Sequence, residues 1–296
     1  MPDPYPARRI LEGGQISVRG RGAAEQRTGL AAVLEATQSL AETEPPLRGY
    51  TLVTCVAGEM GNHTVAEAMV RTHGLEAWGI ILAVSTGGKI GLGNLGRVDI
   101  HVEVAGKPAH SSIPAAGVNA VDGAVEFAMR LRNLPPLPAD PDLGQATLAI
   151  TSIRSEPIAP HTIPARCLIL LDRRLVPGED PAAAVSSIAQ YASGIGPARV
   201  SVRGGDFNLP GKISADHPLA QRAVAAAKEV GLDGSFFYRR AALDAGYFLK
   251  LGIPTITWGP GDPALAHTDE ERASLPDAVQ LAHAYRAFLI NTCYRL

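Results

Sequence analysis

The sequence predicts an α/β protein that carries an inserted unit of β-α-β-β-α-β order. Three observations lead there. Helical periodicity alternates with continuous apolar runs at both ends of the chain, the pattern of a mostly parallel sheet covered by helices. Between these ends, residues 97–105 (RVDIHVEVA) alternate strictly in polarity, as a strand with one wet face does. The elements after that strand follow ferredoxin-like order, one sheet layer with two helices on one face.

Taken in order, residues 22–41 (GAAEQRTGLAAVLEATQSLA) place Leu30, Val33, Leu34 and Leu40 at helical spacing. Residues 50–57 (YTLVTCVA) read as a buried strand, 64–73 as a helix and 78–84 (WGIILAV) as a second buried strand. The character changes after Gly91-Leu92-Gly93-Asn94. In 97–105, Val98, Ile100, Val102 and Val104 fall on one side, with Asp99, His101 and Glu103 on the other. A helix over 117–133 precedes strands at 145–154 and 165–172, a helix at 180–193 and a strand at 198–203. The first pattern resumes with a helix over 216–231, a strand at 253–258 (IPTITW), a Gly-rich loop and a long helix over 275–293. The α/β domain is therefore expected in two pieces, 1–93 and 207–296, around an inserted unit at 94–206. The edge strands of such a unit need protection, and pairing with a second copy is one way.

A length of 296 residues, with 46% hydrophobic and 19% charged, allows one large or two modest globular domains. A net charge of -2 argues against nucleic acid or an anionic membrane as the main partner. Cys55, Cys167 and Cys293 are far apart and form no C-x-x-C pair, which suits reduced thiols in a cytoplasmic protein. The segment MPDPYPARRILEGG has no apolar h-region, and no apolar run reaches the roughly 18 residues of a membrane span.

In α/β sheets, ligand-binding groups collect just past the C-terminal ends of strands. Glu59 follows strand 50–57, Ser85-Thr86 follows 78–84, His267 lies in the loop after 253–258, and Glu25 opens the helix at 22–41. A histidine with carboxylates from separate strand ends can hold a divalent metal. Singly, a loop histidine such as His267 or His110 (in GKPAHSS) is more often solvated, and a turn glutamate more often a surface acid. Asp269-Glu270-Glu271 would favour the start of the following helix. Asp172-Arg173-Arg174, followed by Pro177-Gly178-Glu179, reads as a strand end and turn.

Eight stretches together resemble one family. They are GRGAAEQRTGLAA (20–32), VAGEMG (56–61), VSTGGKIGLGNLG (84–96), GKPAHSSIPAAGVNA (106–120), HTIPARC (161–167), LDRRLVPGED (171–180), ALDAGYF (242–248) and GIPTITWGPGDPALAHTDEE (252–271). In this order they are similar to the zinc aminoacylase and carboxypeptidase family that includes acetylornithine deacetylase, succinyl-diaminopimelate desuccinylase and carboxypeptidase G. The resemblance covers almost the whole chain. It implies a zinc-peptidase-like α/β domain with an inserted ferredoxin-like lid that pairs in homodimers. It also implies cleavage of amide bonds in N-acyl amino acids or small peptides. In the family two zinc ions activate a bridging water, and a glutamate takes its proton.

Carried over by position, His267 takes the place of the family's C-terminal zinc histidine and Glu59 that of a zinc glutamate. Glu25 takes the place of the bridging aspartate, one methylene longer. His110 takes the place of the lid histidine that reaches the developing oxyanion in the partner subunit. The departures are as informative. Gly58 stands where the proton-accepting glutamate is expected, with His63 a distant substitute, and Val84 stands where a carboxylate ligand is expected. The family's first zinc histidine lies upstream of the residues present here, which implies an N-terminally shortened fold that leans on dimerisation. The resemblance thus implies a degenerate centre with one zinc or none, built from Glu25, Glu59 and His267. Arg174 and His161 are candidates for contacting substrate, and a strand-end ion pair of Arg174 with Glu179 or Asp180 is the competing reading. Three expectations stay open. The chain is a family member with impaired chemistry, or the C-terminal part of an active enzyme with a misplaced start, or a non-catalytic partner of a complete homologue.

Overall fold

A computed structural model describes residues 7–43, 62–72 and 74–294. The strand expected at 50–57, with Cys55, Gly58 and Glu59, lies outside the described residues.

The chain opens with a hairpin, β1 (Arg8–Glu12) and β2 (Gln15–Arg19), which the hydrophobic pattern did not announce. A five-residue π-helical turn, Ala23–Arg27, leads into helix α1 (Thr28–Thr43). The helix read from Gly22 therefore starts late. Gly22 adopts φ 79°, and the Arg27 N–H reaches back five residues to the Gly22 carbonyl at 3.0 Å. Turns of this kind gather at functional sites. Helix α2 (Thr64–Arg71) and strand β3 (Ile80–Leu82) follow.

Strand β4 (Ile90–Asn94) is the Gly-rich run IGLGN, every residue of which is buried. Glycine weakens a strand in isolation, which hides this one from periodicity. Its use here is close approach: a Cβ on Gly91 would stand 1.9 Å from the Thr257 Oγ1.

The lid begins with β5 (Gly96–Ala105), where Val98, Ile100, Val102 and Val104 are buried and the residues between them half-exposed, as the alternation predicts. A short strand β6 (Ala109–His110) and helix α3 (Ala120–Leu131) come next; α3 is capped by Asn119, whose side chain accepts from the Val121 N–H. A small hairpin, β7 (Ala139–Asp140) with β8 (Gly144–Gln145), precedes β9 (Thr147–Glu156), β10 (Thr162–Ile163) and β11 (Arg166–Leu175). Helix α4 (Pro181–Ala189), capped by Asp180, and strand β12 (Arg199–Asn208) complete the unit. The four long strands form one antiparallel sheet in the order β12-β5-β11-β9. Phe127 of α3 and Ile188 of α4 pack with the buried strand residues into one core.

The remaining elements are β13 (Gly211–Lys212), α5 (Pro218–Glu229), β14 (Phe236–Arg239), α6 (Ala245–Lys250), β15 (Thr255–Thr257), β16 (Arg272–Ser274) and α7 (Leu275–Leu289). Strands β13, β4, β15 and β3 form a sheet in that order, with β14 parallel to β4; β16 joins the first hairpin. Helix α5 buries Leu219, Ala220, Ala223, Ala226 and Ala227, a helical stripe of small side chains that lets it lie close to the sheet. Helices α1 and α5 both pack on α7.

Lys212 ties β7–β8 to this sheet, with Nζ 2.7 Å from Asp140 and 2.9 Å from Asp142. Burial pushes the Asp140 carboxyl up, but Lys212 and the N–H groups of Asp142 and Leu143 together hold it below the usual range. A depressed folded-state pKa stabilises above the unfolded value, about pH 4, and the gain fades as pH falls through the folded value. Lys212→Met is therefore expected to lower stability near neutral pH by at most about 1 kcal/mol for this partly exposed pair. It should also flatten the acid limb of a urea midpoint-versus-pH curve below about pH 4. Parallel acid limbs for the two proteins would refute this.

Candidate functional site

Three backbone segments meet at the C-terminal ends of β3 and β15. They are the π-helical turn 23–27, the run Val84-Ser85-Thr86 and the run Trp258-Gly259-Pro260-Gly261. The Ser85 N–H donates to the Glu25 carbonyl at 2.9 Å, the Thr86 N–H to the Gly259 carbonyl at 3.2 Å, and the Gly87 N–H to the Gly261 carbonyl at 2.8 Å. The approach requires glycine at two places. A Cβ on Gly259 would stand 2.2 Å from the Val84 oxygen, and one on Gly261 would stand 1.7 Å from the Ala24 oxygen.

This arrangement brings together two residues expected from the sequence. The His267 Nε2 lies 2.9 Å from the Glu25 Oε2, with His267 64% and Glu25 26% exposed at the side chain. His267 holds φ at 63°, the left-handed region that few non-glycine residues occupy.

A third charge was not anticipated. Arg239, at the end of β14, is 9% exposed. Its guanidinium donates to the Ser85 carbonyl and, at 3.2 Å, to the Ser85 hydroxyl. Burial lowers its proton affinity, and the nearby Glu25 charge acts against that. The sequence signal was faint: an arginine doublet at the end of an aromatic run, FFYRR, beside ALDAGYF.

The other expected residues lie elsewhere or are occupied. Val84 stands at the mouth of β3 and offers only a hydrocarbon side chain. His63 is buried; its Nδ1 lies 2.7 Å from the Asp244 Oδ1, and its Nε2 accepts from the Leu209 N–H at 2.6 Å. With both ring nitrogens engaged it is not available as the proton acceptor that the resemblance expects at position 58, which corrects the reading of His63 as a substitute. His110 and His161 sit together on the lid, where β6 pairs with β10 and the Ser111 N–H donates to the His161 carbonyl at 2.8 Å. Both imidazoles are exposed.

Arg174 binds Asp172 through two bonds of 2.7 and 2.9 Å. Glu179 pairs instead with the buried Arg173, so the expected Arg174–Glu179 pair is corrected by one position. The acidic run after His267 does not charge a helix. Glu270 pairs with Arg19 and the fully buried Glu271 with Arg21, while Ser274 caps α7.

The donor set decides what this site can hold. Two-metal centres need several anionic or imidazole donors converging on one space. Among the described residues no three His, Cys, Asp or Glu side chains converge in that way. His267 is turned onto Glu25, Val84 has no donor atom, and Arg239 adds a positive charge. The described residues therefore do not fit a two-metal centre.

The sheet, with segments meeting at its strand ends and an antiparallel lid inserted beside it, shares the fold of the M20 peptidases. Residues 92–200 match the peptidase dimerisation domain of that family. The chain is 26% identical over 288 residues to a protein of Pyrobaculum aerophilum assigned as a LysW-lysine/LysW-ornithine hydrolase, covering 97% of this chain and 77% of that one. It is 27% identical over 276 residues to a Mycobacterium tuberculosis protein assigned as a succinyl-diaminopimelate desuccinylase, covering 92% and 75%. The solved structure of the aminopeptidase PepT from Bacillus cereus shares the fold, with a TM-score of 0.77 at 20% identity over 96% of this chain and 75% of that one. Residues 92–200 thus carry the peptidase dimerisation domain, and nearly the whole chain is similar to M20 peptidases, a family that acts on acyl amino acids and peptides and is generally metal-dependent. No helix among the described residues is long and apolar enough to cross a membrane.

Proposed function

We propose that this protein is an M20 amidohydrolase-family member whose two-zinc chemistry is impaired or lost, and that it pairs with its own copy through the lid. The observation that supports the reading best is the closed pair of Glu25 and His267 beside Val84. Valine stands where the resemblance expects a carboxylate ligand, and His267 is turned onto the Glu25 carboxylate. At most one zinc would be held, by Glu25, Glu59 and His267 in another arrangement.

The lid supports the pairing. Edge strand β9 exposes Ile150 and Ile153 at 41% and 54%, and α3 exposes Val125 and Met129 at 55% and 54%. An edge strand with apolar neighbours is a natural docking surface for a second sheet. An N-acyl amino acid or small peptide is the ligand class carried over from the relatives. His110 of one subunit would reach the ligand held by the other, with Arg174 and His161 on the same lid.

Purified protein is expected to hold no more than about one equivalent of zinc per chain by elemental analysis, because among the described residues too few donors converge to hold two. It is also expected to show no amidase activity that depends on His267. Zinc near two equivalents, with amidase activity abolished by His267→Ala, would refute the proposal. Sedimentation of the protein as a monomer would remove the pairing.

A further inference from the structure

We infer that Arg239 is the resident cation of this site, so that a guanidinium supplies the positive charge a metal ion would otherwise bring. The inference rests on the impaired-centre reading above and names the residue that replaces the metal.

Four observations carry it. Arg239 is 9% exposed, and a cation so far from water must be compensated by a neighbouring anion or dipole. It is anchored on Ser85, through the carbonyl and the hydroxyl, and Ser85 in turn holds the Glu25 backbone through its own N–H. The guanidinium, Ser85 and the Glu25 backbone thus form one connected unit built from three distant segments. The carboxylate whose charge acts on the guanidinium is Glu25. Finally, Val84 next to Ser85 contributes no charge, while Glu25 lies 2.9 Å from His267 and its charge acts on Arg239. A divalent ion is drawn to a surplus of anionic ligands; here the described charges already offset one another. Among the described residues the Nε of Arg239 meets no hydrogen-bond partner, so the guanidinium is held through one edge and by charge.

The test is a double-mutant cycle read together with zinc titration calorimetry. Glu25→Gln strands a buried cation, and should lower the folding equilibrium constant by about tenfold or more. In an Arg239→Gln background the same change should cost less than about threefold, since the cation is gone. Arg239→Gln should also bind Zn2+ about tenfold or more tightly than wild type, because a like charge has left the site. His267→Ala should cancel that gain. Arg239→Lys, which keeps the charge, should keep the coupling to Glu25 and gain no zinc affinity; it stands in should Arg239→Gln fail to fold.

Additive effects of Glu25→Gln and Arg239→Gln would overturn the role of Arg239. So would equal zinc affinity in wild type and Arg239→Gln, when little zinc is bound. Two equivalents of tightly held zinc in the wild-type protein would instead refute the impaired-centre reading itself.

Discussion

Trp258→Ala is expected to destabilise the protein by about 3–5 kcal/mol, the cost of truncating a fully buried tryptophan to leave a cavity. Trp258 is 0% exposed and belongs to the core between the sheet and helices α5 and α7. Its indole N–H donates to the Gly88 carbonyl at 2.9 Å, and its ring meets Tyr285 edge-on at 5.3 Å. Truncation removes the packing and orphans a carbonyl. The bond from the Tyr285 hydroxyl to the Trp258 backbone carbonyl survives the change. Burial pushes that phenol's pKa well up, which keeps it a donor at any working pH.

The consequence for the site is local. Trp258 is followed directly by Gly259-Pro260-Gly261, and the tight contacts of the two glycines with Val84 and Ala24 hold Glu25 near His267. Trp258→Phe should recover most of the loss, leaving about 1 kcal/mol for the hydrogen bond. Urea unfolding followed by far-ultraviolet circular dichroism measures all three proteins. A loss below about 1 kcal/mol for Trp258→Ala would mean that the site loop is not braced this way.

Glu179→Ala is the second large effect, expected at about 3–5 kcal/mol because it leaves a buried cation unpaired. Arg173 is 2% exposed inside the lid and lies 2.5 Å from Glu179. The other Glu179 oxygen accepts from the Val176 N–H at 2.8 Å, so one carboxylate closes the turn after β11 and neutralises the arginine. A second arginine bond, to the Arg174 carbonyl, cannot replace that charge. Replacing both partners by Met and Leu should restore most of the loss, since an apolar pair of similar size avoids the desolvation cost. The same urea experiment decides it. If the double variant is no more stable than Glu179→Ala, the pair does not behave as a coupled unit.

Much of the fold was readable before the structure, and particular residues explain why. Strict alternation from Val98 to Val104 reports a two-faced strand, because side chains of a pleated strand point to alternate faces. The same rule, followed along β11, places Arg173 with the buried Cys167, Ile169, Leu171 and Leu175. Its burial was therefore implicit in the parity, although reading the run as a strand end and turn passed over it. Strand β4 could not be found by pattern, because its glycines are chosen for the approach of Thr257 and Lys212 rather than for strand propensity. The start of α1 was misplaced for a similar reason: Glu25 gives its carbonyl to Ser85, a residue far along the chain.

The sequence by itself determined the fold class, the order of the lid elements, the family resemblance and the residue types at Gly58 and Val84, where that resemblance expects carboxylates. These depend on residue type and on spacing within one segment, which the chain carries explicitly. Only the tertiary structure decided that His267 closes on Glu25, that His63 is occupied by Asp244, and that Arg239 lies on Ser85. Arg239 and Ser85 stand 154 residues apart, so no local period links them. Their meeting follows from the packing of β14 and of the segment after β3 around β4 and β15 in one sheet. A buried charge finds its partner through that packing, and neither residue announces the other in sequence.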